Sequence, residues 1–166
     1  REQCCQSDQL HLLQTVAPSG LNNVVSAEEW QEIELAVDSG ATESVLNEHM
    51  ATNIPTVPGE ASRRGVSYKV ANGEHLPNLG EKRFEASSEN HVLRKMTAQV
   101  CDVDTGLLSV SKAIEAGNRV VFDLDESGNG NGSYIYDKET GEYMPMQMRG
   151  GMFMLKLWVR KSTEGF

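Results

Sequence analysis

Short runs of alternating apolar and polar residues, separated by turn-forming residues, dominate the sequence from residue 30 onward. Successive side chains of a strand point to opposite faces, so a half-buried strand shows this period of two. The clearest run extends from Trp30 to Val37. Further candidate strands cover residues 44–46, 66–71, 76–79, 82–86, 98–103, 119–123, 133–137 and 152–159. Many short strands joined by turns indicate a chain that is mainly all-β.

The start of the first strand allows a second interpretation. Ser26 and Glu29 have the spacing of a capping box, which would begin a helix. The alternation tightens toward Val37 and runs directly into Asp38, which favours the strand. The acidic excess of the chain is greatest near its N-terminus, so we interpret residues 1–29 as an acidic arm.

One short helix is expected after residue 108. Ser109 or Ser111 can act as its N-cap, because a hydroxyl can accept a hydrogen bond from an unpaired N–H of the first turn. Gly117 lies where the end of a helix favours a left-handed backbone. The apolar face between these positions is formed by Val110, Ala113 and Ile114.

The charge and hydropathy of the chain limit its partners. With 15 Lys and Arg against 24 Asp and Glu, the formal net charge is −9. This is the wrong sign for a protein that follows phosphate backbones, so we expect no nucleic acid partner. No run approaches the ~20 apolar residues that cross a bilayer. We therefore predict a soluble chain without a transmembrane segment.

The cysteines and histidines lack the spacing of a metal site. Cys4, Cys5 and Cys101 are too few for a disulfide framework, and adjacent cysteines rarely bridge each other. A zinc site requires closely spaced ligand pairs, and no histidine has that spacing to a cysteine. We expect neither a metal nor a cofactor.

The segment most suited to chemistry lies where the first strand ends. The alternation delivers Asp38 directly to Ser39 and Gly40, which favour a tight turn. A carboxylate in this position lies beside backbone N–H groups that can hold and polarise it. Asp-Ser-Gly is also common in ordinary surface turns, so the tripeptide alone leaves both interpretations open.

Asn72 and Gly73 give the strongest hairpin signal in the chain. They separate the candidate strand residues 68–71 from residues 74–76. A two-residue type I′ turn needs positive φ at both central positions, which Asn-Gly tolerates. The sequence therefore predicts a β-hairpin with its tip at Asn72 and Gly73.

A second segment makes the Asp38 turn more specific. Residues 107–123 comprise Leu-Leu-Ser-Val, a short helix, a glycine and an apolar strand that ends in Phe-Asp. Together with the Asp-Ser-Gly-Ala-Thr turn and the Asn-Gly hairpin, this order resembles the retropepsin family, in particular the aspartic protease of Ty1/copia-type retrotransposon polyproteins. The resemblance covers Trp30 to Asp123 and continues more weakly through residues 135–155.

The resemblance implies roles for the residues of the turn. Asp38 is implied to be the catalytic aspartate. Ser39 is implied to bond with its counterpart at the base of the site, and Gly40 to offer its backbone carbonyl to substrate, with Thr42 beside it.

It also implies roles outside the turn. Leu107 and Leu108 correspond to the apolar pair that supports the catalytic loop. Many retropepsins continue with Gly, whereas this chain has Ser109, as copia-like proteins do. The hairpin with Asn72 and Gly73 corresponds to the flap.

The implied fold is an acid-protease barrel with one short helix. The resemblance implies a retropepsin-like domain at 30–123, and we predict the acidic arm at 1–29 before it and a C-terminal β-hairpin extension at 124–166 after it.

A single catalytic tripeptide implies a dimer. Hydrolysis by aspartic proteases uses two carboxylates about 3 Å apart that share one proton. One of them activates water while the other hydrogen-bonds the scissile carbonyl. The chain would therefore need a second copy of itself, in addition to its peptide substrate.

Asp104, followed by Thr105 and Gly106, could be taken for a second catalytic tripeptide. That would make a two-lobed enzyme from one chain. The interval of about 65 residues is short for a complete lobe. Asp104 also lacks the apolar run that precedes Asp38, so we assign it to the loop before the helix.

The implied function is an aspartic endopeptidase that cuts its own polyprotein. The rival hypothesis is a non-catalytic retropepsin-like accessory or structural subunit of a larger complex. The chain opens at Arg1, which fits excision from a polyprotein or a processed subunit. The compartment stays open, since a cytoplasmic location suits the first and an organellar one the second.

Overall fold

The computed structural model describes residues 30–128 and 132–161. In chain order its elements are β1 (Trp30–Asp38), β2 (Val45–Leu46), α1 (Glu60–Arg63), β3 (Ser67–Lys69), β4 (His75–Pro77), β5 (Gly80–Ser88), β6 (Leu93–Val100), β7 (Gly106–Ser109), α2 (Val110–Glu115), β8 (Asn118–Val121), β9 (Tyr134–Asp137), β10 (Tyr143–Pro145), β11 (Gln147–Arg149) and β12 (Met152–Arg160). The mainly β class predicted from the sequence is confirmed. The predicted N-terminal arm lies outside the described residues.

Six of the strands form a closed ring. The hydrogen-bonded order is β1-β7-β2-β6-β5-β12, and β12 pairs again with β1. Each of these strands therefore has a neighbour on both sides, which removes the open edges of a flat sheet. β11 pairs with the first residues of β12, outside the ring.

β12 closes the ring from the C-terminal part of the chain. It runs antiparallel to β1 from Trp30↔Arg160 to Ala36↔Met154. Its other edge pairs with β5, where Leu157 lies opposite Ser88. The segment from residue 124 onward thus supplies one strand of the ring as well as β9 to β11.

The interior of the ring is filled from alternate strand positions. Ile33, Leu35 and Val37 point inward from β1 and belong to the same core as Phe84 and Leu155. Full burial of an aliphatic side chain contributes about 1.5–3 kcal/mol. Three such anchors fix β1 in the ring, and Asp38 comes directly after the last of them.

A small second sheet packs on the ring. It has the order β10-β9-β8, and its Ile135 joins the main core together with Met146. Arg94 on β6 links the two sheets through ion pairs to Asp137 at 3.1 Å and Glu142 at 2.9 Å.

The predicted hairpin at Asn72 and Gly73 is present, but the predicted two-residue type I′ turn is wrong. The N–H of Val70 donates to the carbonyl of Glu74, which leaves a three-residue loop. Only Gly73 in this loop has positive φ, at +90°. The side chain of Asn72 instead accepts a hydrogen bond from the N–H of Glu74 at 2.9 Å, so it closes the loop without a left-handed backbone.

Two consecutive positive φ values occur at another hairpin. Gly150 and Gly151 have φ of +56° and +79° and join the paired residues Arg149 and Met152. This is the two-residue geometry that type I′ turns require. The sequence offered the same signal here in its adjacent glycines.

The predicted helix is confirmed as α2, with one correction. Ser109 is its N-cap, since its side chain accepts a hydrogen bond from the N–H of Lys112. Ile114, predicted for an apolar inner face, is 52% exposed. Neither helix in the described ranges has the length and apolar character needed to span a bilayer.

Candidate active site

Asp38 is the last residue of β1 and lies half-buried where the strand ends. Its Oδ1 accepts a 2.7 Å hydrogen bond from the N–H of Gly40. Hydrogen bonds to an ionised acceptor at this distance are among the stronger ones in proteins. A Cβ at residue 40 would lie 3.2 Å from that oxygen, so the glycine lets the backbone close tightly on the carboxylate. The predicted tight turn is confirmed.

β7 runs parallel to β1 and supports this turn. Its register aligns Leu108 with Val37 and Ser109 with Asp38. Leu108 is buried in the core beside β1. Leu107 points the other way and is half-buried. The two leucines that the sequence treats as one pair therefore have different surroundings.

A cleft of about 730 Å³ opens beside Asp38. The turn after β1 forms one wall, and strand β3 with the residues that lead to the hairpin tip forms another. The side chains at this cleft are mostly apolar or aromatic. The lining residues are Asp38, Gly40, Ala41, Thr42, Glu43, Val45, Ser67, Tyr68, Lys69, Val70, Ala71, Cys101, Val103 and Leu107.

The structure brings together half of the implied site residues. Those that line the cleft are Asp38, Gly40, Thr42 and Leu107, whereas Ser39, Leu108, Asn72 and Gly73 do not. The hairpin nevertheless borders the cleft, because β3 and the two residues after it, 67–71, line the cleft. Asn72 and Gly73 at the tip are exposed, and so is Ser39.

The base of the hairpin is fastened to the ring through Asn78. Its side-chain nitrogen donates to the hydroxyl of Tyr68 at 3.0 Å and to the side-chain oxygen of Gln99 at 2.7 Å. Its own side-chain oxygen accepts from the N–H of Gly80 at 2.8 Å. Burial raises the pKa of Tyr68, so this cleft residue stays a neutral phenol in ordinary buffers.

Two carboxylates belong to the described lining of the cleft, and their surroundings differ. Glu43 forms an ion pair with Lys112 at 3.7 Å. The pKa of Lys112 is raised by Glu115 and by Glu43, which keeps the lysine charged. Asp38 is bound instead by a neutral backbone N–H. Within the described part of the chain, its carboxylate faces the cleft without an ion-paired cation.

Two buried serines hold the turn in place, and the sequence predicts only the helix cap for one of them. The hydroxyl of Ser109 donates to the carbonyl of Ala41 at 2.7 Å. The N–H of Ser109 donates to the hydroxyl of Ser44 at 3.0 Å. The signal that could have found them is the parallel pairing of residues 38 and 109, which periodicity alone does not give.

Cys101 lines the same cleft but is unsuited to act as a nucleophile. Its side chain is buried, and this burial raises the pKa of the thiol to about 11. Reactive cysteines have low pKa values because the thiolate is the attacking species. Cys4 and Cys5 lie outside the described residues.

Asp104 lies in the loop before β7, at the end of that strand away from the Asp38 turn. Gly106, two residues after it, aligns with Leu35, which is three residues before Asp38. At the rise of a strand, the start of β7 is therefore separated from Asp38 along the ladder by roughly 10 Å, and Asp104 precedes that start. This distance supports the assignment of Asp104 to the loop that enters β7.

Within residues 30–128 and 132–161, no three His, Cys, Asp or Glu side chains are close enough together to hold a metal ion. The residues that line the cleft offer a carboxylate and backbone groups that can act on water.

Comparison with protein-family models, with curated proteins and with solved structures gives no match for this chain.

Proposed function

We propose that the chain is an aspartic endopeptidase of the retroelement type, active as a homodimer. The observation that carries the proposal is the Asp38 carboxylate, held by the N–H of Gly40 at a cleft of about 730 Å³ that is lined in part by a β-hairpin. The closed ring of six strands supports an acid-protease barrel. A cleft of this size and largely apolar lining suits an extended peptide segment.

The proposed reaction uses one Asp38 from each copy. Two carboxyls at about 3 Å cannot both be ionised, so they share a proton. The ionised one removes a proton from water, which attacks the carbon of the peptide carbonyl. When the tetrahedral intermediate collapses, the C–N bond breaks and that proton passes to the leaving amine. The protonated one donates a hydrogen bond to the carbonyl oxygen. Gly40 would contact the substrate backbone, and the hairpin would cover it as a flap.

A second copy is required because one chain offers one suitable carboxylate among the residues described. Glu43 is paired with Lys112, and Asp104 lies in the loop that precedes β7. The register that pairs Ala36 with Met154 would bring Met152 level with Asp38. Met152 is 46% exposed, so an apolar side chain is open beside the turn that would meet its twofold copy.

Peptide hydrolysis by the purified chain tests the proposal. We expect a quenched fluorescent peptide library to be cut between about pH 4 and 6, where one of two paired carboxyls is protonated. Asp38→Asn should be inactive and still dimeric. In an equal mixture of the two chains, about a quarter of the dimers carry two Asp38 side chains. Activity per wild-type chain should therefore fall.

Two results would contradict the proposal. One is a wild-type dimer that cuts no peptide in the library or in a denatured protein across this pH range. The other is activity that is unchanged when the Asp38→Asn chain is added in excess. A chain that remains monomeric and binds peptides without cutting them would favour the non-catalytic subunit.

A further inference from the structure

Ser109 occupies the point where β7 passes into α2, directly beside the Asp38 turn. It is aligned with Asp38 in the parallel ladder and is 0% exposed. A buried hydroxyl is costly unless it is hydrogen-bonded, so its partners indicate why it is tolerated there.

The hydroxyl of Ser109 has its hydrogen-bonding capacity fully used. It donates its one proton to the carbonyl of Ala41 at 2.7 Å. It accepts from the N–H of Lys112 at 3.3 Å, and it lies 3.0 Å from the hydroxyl of Ser111. A hydroxyl has one donor and two acceptor sites, so Ser111 must be the donor in the last contact. One oxygen thus joins the Asp38 turn to the first turn of α2.

The backbone of Ser109 adds a second connection. Its N–H donates to the hydroxyl of Ser44 at 3.0 Å, and Ser44 is also buried. The segment between Asp38 and β2 is therefore held from β7 at two places, residues 41 and 44. A further constraint is the bond from the N–H of Gly40 to the Asp38 carboxylate.

We propose that Ser109 is a positioning residue for Asp38. It fixes the position of the turn that carries Asp38, so that the carboxyls of two copies meet at hydrogen-bonding distance. This inference rests on the proposed function and adds a residue to it. The position of a carboxyl determines how strongly it couples to its twin, because coupling depends steeply on separation at this range. Loss of the Ser109 hydroxyl should therefore alter the coupling as well as the stability.

The test compares Ser109→Ala with Ser133→Ala. Ser133 is an equivalent buried serine, 1% exposed, whose hydroxyl donates to the carbonyl of Asp123 at 2.7 Å away from the cleft. Both variants should lose similar thermal stability. Ser109→Ala should lower kcat at least tenfold, leave KM nearly unchanged and shift the pH profile of kcat. Ser133→Ala should keep wild-type kinetics, and Ser109→Thr should recover much of the lost kcat.

A second measurement does not depend on activity. The titration of the Asp38 carboxyl can be followed by carbon NMR in the wild-type dimer and in both variants. We expect Ser109→Ala to move the Asp38 midpoints, and Ser133→Ala to leave them in place. If Ser109→Ala does not fold, Ser44→Ala removes the second connection and should move the same midpoints.

The inference is overturned if Ser109→Ala, or Ser44→Ala in its place, leaves both the Asp38 titration and the kinetics unchanged. A wild-type chain without peptidase activity would count against the proposed function. In that case the Asp38 titration alone still decides whether Ser109 acts on the carboxyl.

Discussion

The chain contains two similar tripeptides, Asp38-Ser39-Gly40 and Asp104-Thr105-Gly106, and the fold uses them in opposite ways. The first begins with the last residue of β1, whereas the second ends with the first residue of β7. Since β1 and β7 are parallel, the end of one lies far from the start of the other. Position in the ladder, more than the tripeptide itself, determines which aspartate reaches the cleft.

Gly40 and Gly106, the glycines of the two tripeptides, also differ in their surroundings. A Cβ on Gly106 would lie 2.7 Å from Cδ2 of Leu35 and 2.8 Å from Cε of Met50, inside the core. A Cβ on Gly40 would approach only the Asp38 carboxylate, at 3.2 Å. The glycine of the second tripeptide permits close packing, and the glycine of the first permits a close hydrogen bond to a carboxylate.

Substitution of the two aspartates by asparagine should change peptidase activity to very different extents. Asp38→Asn should reduce peptidase activity by at least about a thousandfold, because the shared proton of the dyad is lost. Asp104→Asn should leave activity within about twofold, as expected for an exposed residue away from the site. Initial rates with equal folded fractions, checked by circular dichroism, give the comparison. Equal losses in the two variants would mean that Asp104 belongs to the site.

Substitution of the two glycines by alanine should affect different properties, namely stability for Gly106 and activity for Gly40. Gly106→Ala should lower the free energy of unfolding by about 1–3 kcal/mol, because the methyl group crowds a packed core. Gly40→Ala should change that free energy by about 0.5 kcal/mol or less and act on the reaction instead. Urea unfolding and peptide assays of both variants measure the two effects. A reversed pattern would contradict the roles assigned to these glycines.

Much of the fold follows from sequence periodicity, and the errors have physical causes. The alternation of β1 and the N-cap of α2 depend on neighbouring residues, which a sequence displays directly. α1 buries no side chain, so it leaves no apolar pattern to detect. β6 begins at Leu93, five residues before the predicted start at 98, because its first half has exposed positions and lacks a continuous apolar face.

The candidate site was predictable only in part. Asp38 and Gly40 are two residues apart, so local turn chemistry brings them together. The contacts of Ser109 with Ala41 and Ser44 span 68 and 65 residues of chain. They arise from the parallel pairing of β1 and β7, which no local pattern specifies.

Substitution of an exposed residue beside the Asp38 turn should weaken dimerisation. Met152→Glu should weaken the dimer about tenfold or more, because a charge would replace an apolar contact in the interface. Leu93→Glu is the matched control, since Leu93 is 52% exposed on β6. Sedimentation over a concentration series measures both dissociation constants. Equal effects would place the interface elsewhere than at Met152.

The smallest expected effect is at Cys101, which lies in the cleft near the loop that carries Asp104. Its pKa of about 11 keeps the thiol protonated at neutral pH. Treatment with an alkylating reagent at neutral pH should leave Cys101 unmodified and the peptidase active, as shown by mass spectrometry of a tryptic digest and by a peptide assay. Rapid labelling of Cys101 with loss of activity would contradict the carboxylate mechanism.

Crosslinking tests whether the Asp38 side chains of two copies meet. Carboxyl oxygens about 3 Å apart leave the two Cβ atoms beyond the roughly 3.5–4.5 Å that a disulfide needs, but within reach of a short bifunctional thiol reagent. In a chain with Cys4 and Cys5 changed to Ser, that reagent should convert Asp38→Cys readily to a covalent dimer on a denaturing gel, and Asp104→Cys should not be converted. Crosslinking of Asp38→Cys no faster than Asp104→Cys would mean that the two Asp38 side chains do not meet.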